Sequence, residues 1–272
     1  MNCCCNEDSL SASLSWQPSG STTVKLLATG ATVGTLVDSL HNQILLEYHV
    51  ALIQLPSPFS IQAEAGEGAL WLASSWTVPP LLAVAYWILG GILPRITRKF
   101  IHALAGPTTS RGGDTSTTQT QTLRNRALWA ITTTALIVKL SDVLERHPDW
   151  CWMTTFGADT QHLILLFMAA LLQWWVLDGT KTALLLACIT AYGGPLAELP
   201  FVQANVWTYL PDAANYFPLQ GSGPMAQALR ALLHDDSTLA ISTVSAPCYF
   251  AVCMDAIALG RWFDAQDSEG SK

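Results

Sequence analysis

The sequence has few charged residues. Asp, Glu, Lys and Arg make up 12% of its 272 residues, against roughly a quarter in an ordinary soluble domain, and 50% of the chain is hydrophobic. The 13 basic residues are outnumbered by 20 acidic ones, and a net charge of −7 does not provide the basic surface that binding to nucleic-acid phosphates requires. This composition favours a bundle of membrane-spanning helices, each roughly 20 apolar residues long, over a soluble domain.

Motifs of catalytic and metal-binding chemistry are missing as well. The seven cysteines contain no CxxC pair, which excludes a zinc ribbon or a thioredoxin-like motif. A zinc protease would contain HExxH, whereas Glu47 and His49 give only EYH, and the GSG at 221–223 lacks the GxSxG spacing of a serine hydrolase. The first twenty residues have neither a basic nor an apolar segment of the kind found in a cleavable signal peptide. We therefore expect no enzymatic activity, no metal site and no cofactor.

Long uncharged segments are what the sequence does contain. Three of them, 68–94, 160–177 and 237–254, are long enough to cross about 30 Å of hydrocarbon as helices. A fourth, 182–197, has a Gly-Gly-Pro break near its end. Two short segments, 26–37 and 127–138, span the membrane only if their flanking charges lie at an interface or face the bundle. The segment 26–37 also contains two glycines at GxxxG spacing, which allows a neighbouring helix to approach closely.

Basic residues are concentrated in one stretch, 94–126, which contains six Lys or Arg and one acid. The positive-inside rule places this stretch in the cytosol. With six spans, ten basic residues then lie on the cytosolic side and three on the opposite side. The predicted fold is therefore an all-α, polytopic membrane bundle of six transmembrane helices with both termini cytosolic.

The connections divide the chain further. Residues 1–23 are predicted to be a flexible cytosolic tail, 24–263 the six-helix membrane domain, and 264–272 a second cytosolic tail. Within the membrane domain, 107–122 is polar and rich in Thr and Ser, which predicts a flexible cytosolic linker. Residues 203–236 are predicted to form a loop on the opposite side of the membrane.

Four acids lie in or beside the predicted spans: Asp38, Asp142, Glu198 and Asp255. A charge at the centre of the bilayer costs roughly 3 kcal/mol or more, so each acid is a candidate proton or ion site. A position near a helix end, from which the side chain reaches the interface, is the simpler interpretation, and Lys139 is spaced to pair with Asp142 on a helix. Glu198, Asp255 and the Gly-Gly-Pro break leave a small-solute transporter as an alternative function.

Several patterns resemble the insulin-induced-gene (INSIG) proteins. The SSWTVPP at 74–80 and the GILP at 91–94 are similar to the S-S-A-W-W-V-P-P and G-L-L-Y-P of that family's second span. Gln161 precedes the WWVLD at 174–178 by the interval that separates a Gln from W-W-x-F-D in the family. The interval and the SSW-VPP pattern together are the most specific part of the resemblance.

Further matches follow in the same order along the chain. The NVWTYLPD at 205–212 looks like the family's N-G-V-Y-Q-Y-T-S-P-D loop, and the PCYF at 247–250 with GR at 260–261 is similar to its last span. The third span keeps only Lys139-Leu140 of the family's G-I-N-H-A-S-A-K run. The resemblance covers about residues 71 to 262 and indicates a distant homologue.

The resemblance implies six helices in the endoplasmic reticulum membrane, a lipid-sized cavity and no catalysis, and it makes the 203–236 loop luminal. It implies an INSIG-like, sterol- or oxysterol-responsive regulator of sterol biosynthesis that binds a lipid and retains polytopic partners of the sterol-sensing-domain type. Such partners are the escort SCAP with its SREBP transcription factor, or HMG-CoA reductase. Because bacterial relatives look like diacylglycerol binders, a diacylglycerol-type lipid-binding membrane protein is an alternative.

The resemblance also assigns lipid-binding residues. Gln161 matches the family's polar residue at the sterol pocket, and an amide there can donate to a lipid hydroxyl where little water competes; contact with headgroups is the alternative. Trp174 and Trp175 are candidates for shaping the pocket, against a role in an interfacial aromatic belt. Pro79 and Pro80 are candidates for opening a lateral gap by kinking the second span, against a purely structural kink.

Asp178 matches the acid implicated in partner retention. A carboxylate at a helix C-terminus opposes the helix dipole, so its placement needs another reason. Partner contact is one reason, and capping of the following helix at Asp178 or Thr180 is the alternative. Cys3, Cys4 and Cys5 are candidates for S-palmitoylation on a cytosolic tail, with reduced thiols on a disordered tail as the alternative.

Overall fold

The computed structural model describes residues 16–42, 45–56, 70–105, 117–147, 149–152, 154–220, 222–234 and 239–270. Within these ranges the chain is mostly helical. The helices are α1 (Gly20–Thr29), α2 (Thr35–Asn42), α3 (Val78–Tyr86), α4 (Leu93–Ala105), α5 (Thr117–Glu145), α6 (Ala158–Leu177), α7 (Lys181–Gln203), α8 (Pro224–Leu233) and α9 (Ser245–Gly270). π-helical turns at Gly30–Gly34 and Trp87–Ile92 join α1 to α2 and α3 to α4. Cys3, Cys4 and Cys5 lie outside the described residues.

Short strands lie between the helices, and one of them, Trp207–Tyr209, lies in the predicted 203–236 loop. β1 (Leu46–Tyr48) pairs antiparallel with β4 (Trp207–Tyr209), and β2 (Leu52–Pro56) pairs antiparallel with β3 (Leu70–Ser75). The β1–β4 ribbon joins the connection after α2 to the connection after α7. Both connections therefore lie at the same end of the bundle, on the side that the predicted topology makes luminal.

The structure supports the membrane character of the chain. Four helical stretches of the described residues are long and apolar enough to cross a bilayer: Val78–Phe100, Gln119–Glu145, Ala158–Leu177 and Lys181–Gln203. On α6, large apolar side chains such as Met168 (62% exposed) and Leu172 (57%) lie on the outside, where lipid rather than water suits them. The α1–α2 pair and α9 complete the predicted six, but they are not among these four, so the count of six and the cytosolic termini stay predictions.

The second span begins later than its hydropathy predicts. Residues 70–75 are strand β3, and α3 starts at Val78 with Pro79 and Pro80 in its first turn. A proline is tolerated in a first turn because the N–H that it lacks has no partner within the helix there. The expected kink at these two prolines is therefore wrong; the helix departs from α geometry further on, at the π turn Trp87–Ile92.

Helix α9 is the centre of the packing. It contacts α1, α5, α6, α7 and the π turn Trp87–Ile92. Small residues allow this, since a Cβ on Gly260 would overlap the carbonyl oxygen of Gly90. A Cβ on Gly30 would in the same way overlap the carbonyl oxygen of Leu82 in α3. The predicted close approach at the GxxxG spacing is thus present, with α3 as the neighbouring helix.

Helices reach into the predicted linker and into both predicted tails. Thr117–Gln121 form the first turns of α5 within the predicted 107–122 linker, and Thr120 donates a 2.6 Å hydrogen bond to Glu269 of α9. Helix α1 begins at Gly20 with Ser19 capping the N–H of Thr22, and α9 continues to Gly270. These turns are held by contacts between helix ends that are far apart in the sequence, which composition alone does not reveal.

Candidate functional site

A small cavity with a mixed polar and apolar wall lies inside the bundle, between α2, α3, α5, α7 and α9. Its volume is about 50 Å³. Since a water molecule needs roughly 10–15 Å³ of such space, the cavity has room for a few waters or a small polar headgroup and not for a lipid tail. The polar side chains in its wall are Asp38, Asn42, Tyr86, Glu198, Ser245 and Tyr249.

Glu198 of α7 is held by hydroxyl groups from two other elements. Tyr249 of α9 donates a hydrogen bond of 2.6 Å to Oε1, and Tyr209 of β4 donates one of 2.5 Å to Oε2. Burial and the neighbouring carboxylate of Glu198 raise the pKa of Tyr209 well above 10, so this tyrosine remains a neutral donor. Glu198 itself is only 9% exposed, so the expectation that it reaches the membrane interface is wrong.

Asp38 of α2 has an amide partner. Asn42 Nδ2 lies 2.8 Å from Asp38 Oδ2 and 3.0 Å from the hydroxyl of Tyr48 in β1. Tyr48 and Tyr209 stand on the two strands of the β1–β4 ribbon, and each joins a polar network of the cavity wall. The ribbon therefore connects both acids of the cavity to the chain connections after α2 and α7.

Asp255 lies deeper, in the middle of α9. It is fully buried, and its Oδ2 accepts a 3.0 Å hydrogen bond from Tyr86, which also lines the cavity. Its Oδ1 has no hydrogen-bond partner in the described part of the chain. The expected interfacial position is wrong for Asp255 too, because the hydroxyl of Tyr86 gives it a partner in the interior.

Asp142 differs from these three acids. It pairs with Lys139, as its spacing predicts, and with Arg146 at 3.1 Å. Among the ion pairs of the described residues, none involves Asp38, Glu198 or Asp255.

Gln161 is fully buried at the start of α6 and uses its amide within the protein. Its Oε1 accepts a 3.0 Å hydrogen bond from the N–H of Trp152, and its Nε2 donates to the carbonyl of Phe156 at 2.6 Å. The Nε2 also lies 2.7 Å from Cys151 Sγ. Gln161 therefore fixes the connection before α6, and it does not line the central cavity.

The other predicted lipid-binding residues lie apart from Gln161. Trp174 donates from Nε1 to the carbonyl of Thr180 at 2.9 Å and so closes the turn between α6 and α7. Trp175 is 70% exposed on the outer face of α6, and Pro79 and Pro80 begin α3. The structure does not bring these five residues together around one cavity, and their role in lipid binding stays a prediction.

Asp178 sits at the turn between α6 and α7. Its Oδ1 accepts a 2.9 Å hydrogen bond from the N–H of Thr180, whose own hydroxyl caps α7. Its Oδ2 pairs with Arg261 of α9. The Asp178 side chain is only 5% exposed, whereas that of Arg261 is 37% exposed. The carboxylate thus ties the α6–α7 turn to α9, and Arg261 is the member of the pair that faces outward.

A larger groove, of about 410 Å³, runs between α5 and α6 on the outside of the bundle. Its walls are apolar except for Trp129, Thr133 and Gln173. No role was predicted from the sequence for Gln173 or for the tyrosines that bind Glu198 and Asp255. The signal that could have found them is a polar side chain within an uncharged run, which marks a buried hydrogen bond more often than a surface position.

The family model of the insulin-induced protein (INSIG) matches residues 21–263. No curated protein and no solved structure matches the chain. The matched range runs from the first turn of α1 to Phe263 of α9, so it includes the central cavity, the outer groove and the Asp178–Arg261 pair.

Proposed function

Since the chain belongs to the insulin-induced protein (INSIG) family, whose members are membrane regulators of sterol metabolism and not enzymes, we propose that it binds a sterol or oxysterol in the endoplasmic reticulum membrane and retains membrane partners there. The partners would be polytopic proteins of the sterol-sensing-domain type, either SCAP with SREBP or HMG-CoA reductase. The observation that carries the proposal is the family match over residues 21–263.

The outer face of α6 supports partner binding. Ile164, Met168, Leu171 and Trp175 are all exposed there, so a second transmembrane helix can pack along this face. In the proposal Asp178 is a positioning residue, since its carboxylate holds the α6–α7 turn and orients Arg261 toward the partner.

The lipid-binding residues that the INSIG resemblance assigns contribute indirectly, because they hold the segments next to α6 and α3 in place. Gln161 fixes the connection before α6, and Trp174 fixes the turn after it. Trp175 adds an exposed aromatic ring at the same end, and Pro79 and Pro80 set the start of α3. In the proposal these contacts keep both ends of α6 and the luminal end of α3 in the geometry that lipid binding needs.

A diacylglycerol-type lipid is the second candidate ligand. The central cavity favours it, because the cavity is too small for a ring system but suits a glycerol headgroup among Asp38, Glu198 and Ser245. The helix break that favoured a small-solute transporter is absent at Gly193, Gly194 and Pro195, since α7 continues through these residues.

The test is to identify the lipid that purifies with the protein by mass spectrometry and then to measure binding of labelled oxysterol. We expect saturable oxysterol binding that is weakened by Gln161→Ala, because the connection before α6 is released. Gln203→Ala is the control, since Gln203 bonds the backbone of Leu233 at 2.7 Å and lies on α7. A protein that purifies with neither lipid and shows no saturable oxysterol binding would contradict the proposal.

Partner retention has a separate test. We expect co-precipitation with a sterol-sensing-domain protein to increase with oxysterol and to fall in Asp178→Ala. Co-precipitation that is independent of sterol would contradict the regulatory part of the proposal while leaving lipid binding intact.

A further inference from the structure

A polar groove lies where α1, α5 and α9 meet at one end of the bundle, and its volume is about 430 Å³. Side chains from all three helices line it, among them Lys25, Arg124, Trp262, Gln266 and Glu269. The candidate span Gln119–Glu145 begins beside the groove, which therefore lies at the level where lipid headgroups meet the helix ends. In the predicted topology this is the cytosolic face of the membrane.

The acids around the groove already have other partners, which leaves Arg124 without one. Asp267 accepts a 2.9 Å hydrogen bond from Lys25, and Glu269 accepts one of 2.6 Å from Thr120. No ion pair of the described residues includes Arg124, whose side chain is exposed. A guanidinium that lines a groove and has no carboxylate is suited to bind a phosphate, to which it can donate two parallel hydrogen bonds.

Two further donors of the groove are unfilled. Gln266 Oε1 accepts a 3.2 Å hydrogen bond from Lys25, and no hydrogen bond from the Nε2 end of the same amide is found among the described residues. The indole Nε1 of Trp262 is buried and has no hydrogen-bond partner in the described part of the chain. Because a buried donor in a native protein almost always has a partner, the groove fits a ligand with several acceptor oxygens.

A single acid distinguishes the ligand further. Thr120 bonds Glu269 Oε1, whereas Oε2 has no hydrogen-bond partner among the described residues. A carboxylate in the wall repels a ligand that consists of phosphate alone, but it accepts hydrogen bonds from hydroxyl groups. The groove therefore suits a phosphodiester that carries a polyol, with the phosphate at Arg124 and the hydroxyl groups at Glu269 and Gln266.

The surface next to the groove favours a lipid over a soluble phosphodiester. Leu128 lies one turn from Arg124 on the same face of α5 and is 49% exposed. An acyl chain can therefore continue from the groove along α5 into the hydrocarbon region. Basic pockets between transmembrane helices on the cytosolic side are typical binding sites for phospholipid headgroups.

We infer that the groove between α1, α5 and α9 binds a phospholipid with a polyol headgroup, such as phosphatidylinositol, in the cytosolic leaflet. Arg124 donates to the phosphate, and Glu269 accepts from the hydroxyl groups. The inference goes beyond the proposed function and does not depend on it, because no residue of this groove lines the central cavity or the α5–α6 groove. The bound headgroup would join three helices at one end of the bundle.

The test adds phosphatidylinositol, phosphatidylserine or phosphatidylcholine with identical acyl chains to the full-length protein in detergent, and native mass spectrometry measures the bound lipid. We expect phosphatidylinositol to bind most tightly and phosphatidylcholine, whose headgroup has neither a net charge nor a hydroxyl group, least tightly. Arg124→Gln should weaken phosphatidylinositol binding about tenfold, as loss of a charge-assisted hydrogen bond predicts.

Arg98→Gln is the matched control for Arg124→Gln. It removes the same charge from an exposed arginine of α4 that does not line the groove, so phosphatidylinositol binding should stay unchanged. A loss as large as that in Arg124→Gln would show that the lipid responds to the positive surface as a whole, and would overturn the inference.

Glu269→Gln tests the polyol part of the inference. Thr120 can keep the amide oxygen as its acceptor, so the other end of the side chain becomes a donor. We expect phosphatidylserine binding to increase, because a negative charge is removed, and the preference for phosphatidylinositol over phosphatidylserine to fall. An unchanged preference would overturn the assignment of a polyol.

A photoactivatable phosphatidylinositol with its reactive group near the glycerol locates the site. We expect it to label peptides of 120–128 and 262–269, and excess phosphatidylinositol to reduce the labelling. Glycerophosphoinositol, which has the same headgroup without acyl chains, should compete only weakly. The inference is overturned if the three lipids bind equally or if the soluble headgroup competes as well as the lipid. Neither result bears on sterol binding, so the proposed function stands or falls separately.

Discussion

The acids in the interior and the acids at the helix ends are held in different ways. In the interior, Glu198 and Asp255 receive hydrogen bonds from tyrosine hydroxyls, and no ion pair of the described residues reaches them. At the helix ends, Asp178 pairs with Arg261 and Asp267 pairs with Lys25. The acids inside the bundle are therefore stabilised by neutral hydrogen-bond donors, whereas the helix ends are joined by ion pairs.

The largest effect is expected in the interior. Glu198→Leu removes the acceptor of both Tyr209 and Tyr249, of which Tyr209 keeps Ser245 as a partner at 3.2 Å, and the loss of the two hydrogen bonds to the carboxylate costs about 3 kcal/mol together. We expect the free energy of unfolding in detergent to fall by about that amount. Glu198→Gln keeps an acceptor and should cost about 1 kcal/mol. Equal losses in the two variants would show that packing, not hydrogen bonding, is what Glu198 contributes.

A smaller effect is expected where charge joins the helices. Arg261→Met leaves the carboxylate of Asp178, which is 5% exposed, without its cation, and we expect a loss of about 2 kcal/mol. Because Arg261 is 37% exposed, the stabilisation by this pair should weaken as salt is added, while that by Glu198 should not. Unfolding measured at low and high salt compares the two regions directly, and the same salt response in both would remove the distinction.

The smallest effect is a pH dependence at the junction of α1 and α9. Burial acts to raise the pKa of Asp267, but hydrogen bonds from Ser19, Lys25 and Thr22 outweigh it and hold the pKa below its usual range. The folded state therefore binds the proton less well than the unfolded state, and this stabilisation is present above about pH 4 and lost as the pH falls further.

Asp267→Asn should reduce the loss of stability at low pH. The reduction should be no more than about 1 kcal/mol, because the Lys25–Asp267 pair is partly exposed. Thermal unfolding between pH 7 and pH 3 in the two proteins measures it, with Glu269→Gln as the control at the same helix end. A wild-type protein whose stability does not change in this range would contradict the assignment.

The spans were predicted well where charge bounds an apolar run. The predicted 160–177 and the observed Ala158–Leu177 nearly coincide, because Asp159 and Asp178 mark both ends of that run. Hydropathy did not predict the boundary between β3, which ends at Ser75, and α3, which begins at Val78. An apolar strand and an apolar helix follow one another there without a charge between them.

The buried acids and the candidate sites depend on residues far apart in the sequence. Asp255 looks like an interfacial residue until Tyr86, from another helix, is placed beside it. Gln161 and Gln173 are both amides in an apolar helix, and the sequence cannot distinguish Gln161, which bonds at both ends of its amide, from Gln173, whose Oε1 has no partner among the described residues. That difference arises from which neighbours the fold supplies.

The contact between α1 and α9 also limits how the chain can be threaded through a bilayer. Thr22 donates to Asp264 at 3.0 Å, and its N–H donates to Asp267 at 3.1 Å, so positions 22 and 267 share one face of the membrane. A chain that returns to the face from which it started has crossed an even number of times. An odd number of crossings between these two positions is therefore excluded by parity, whichever of the helices in between are counted as spans.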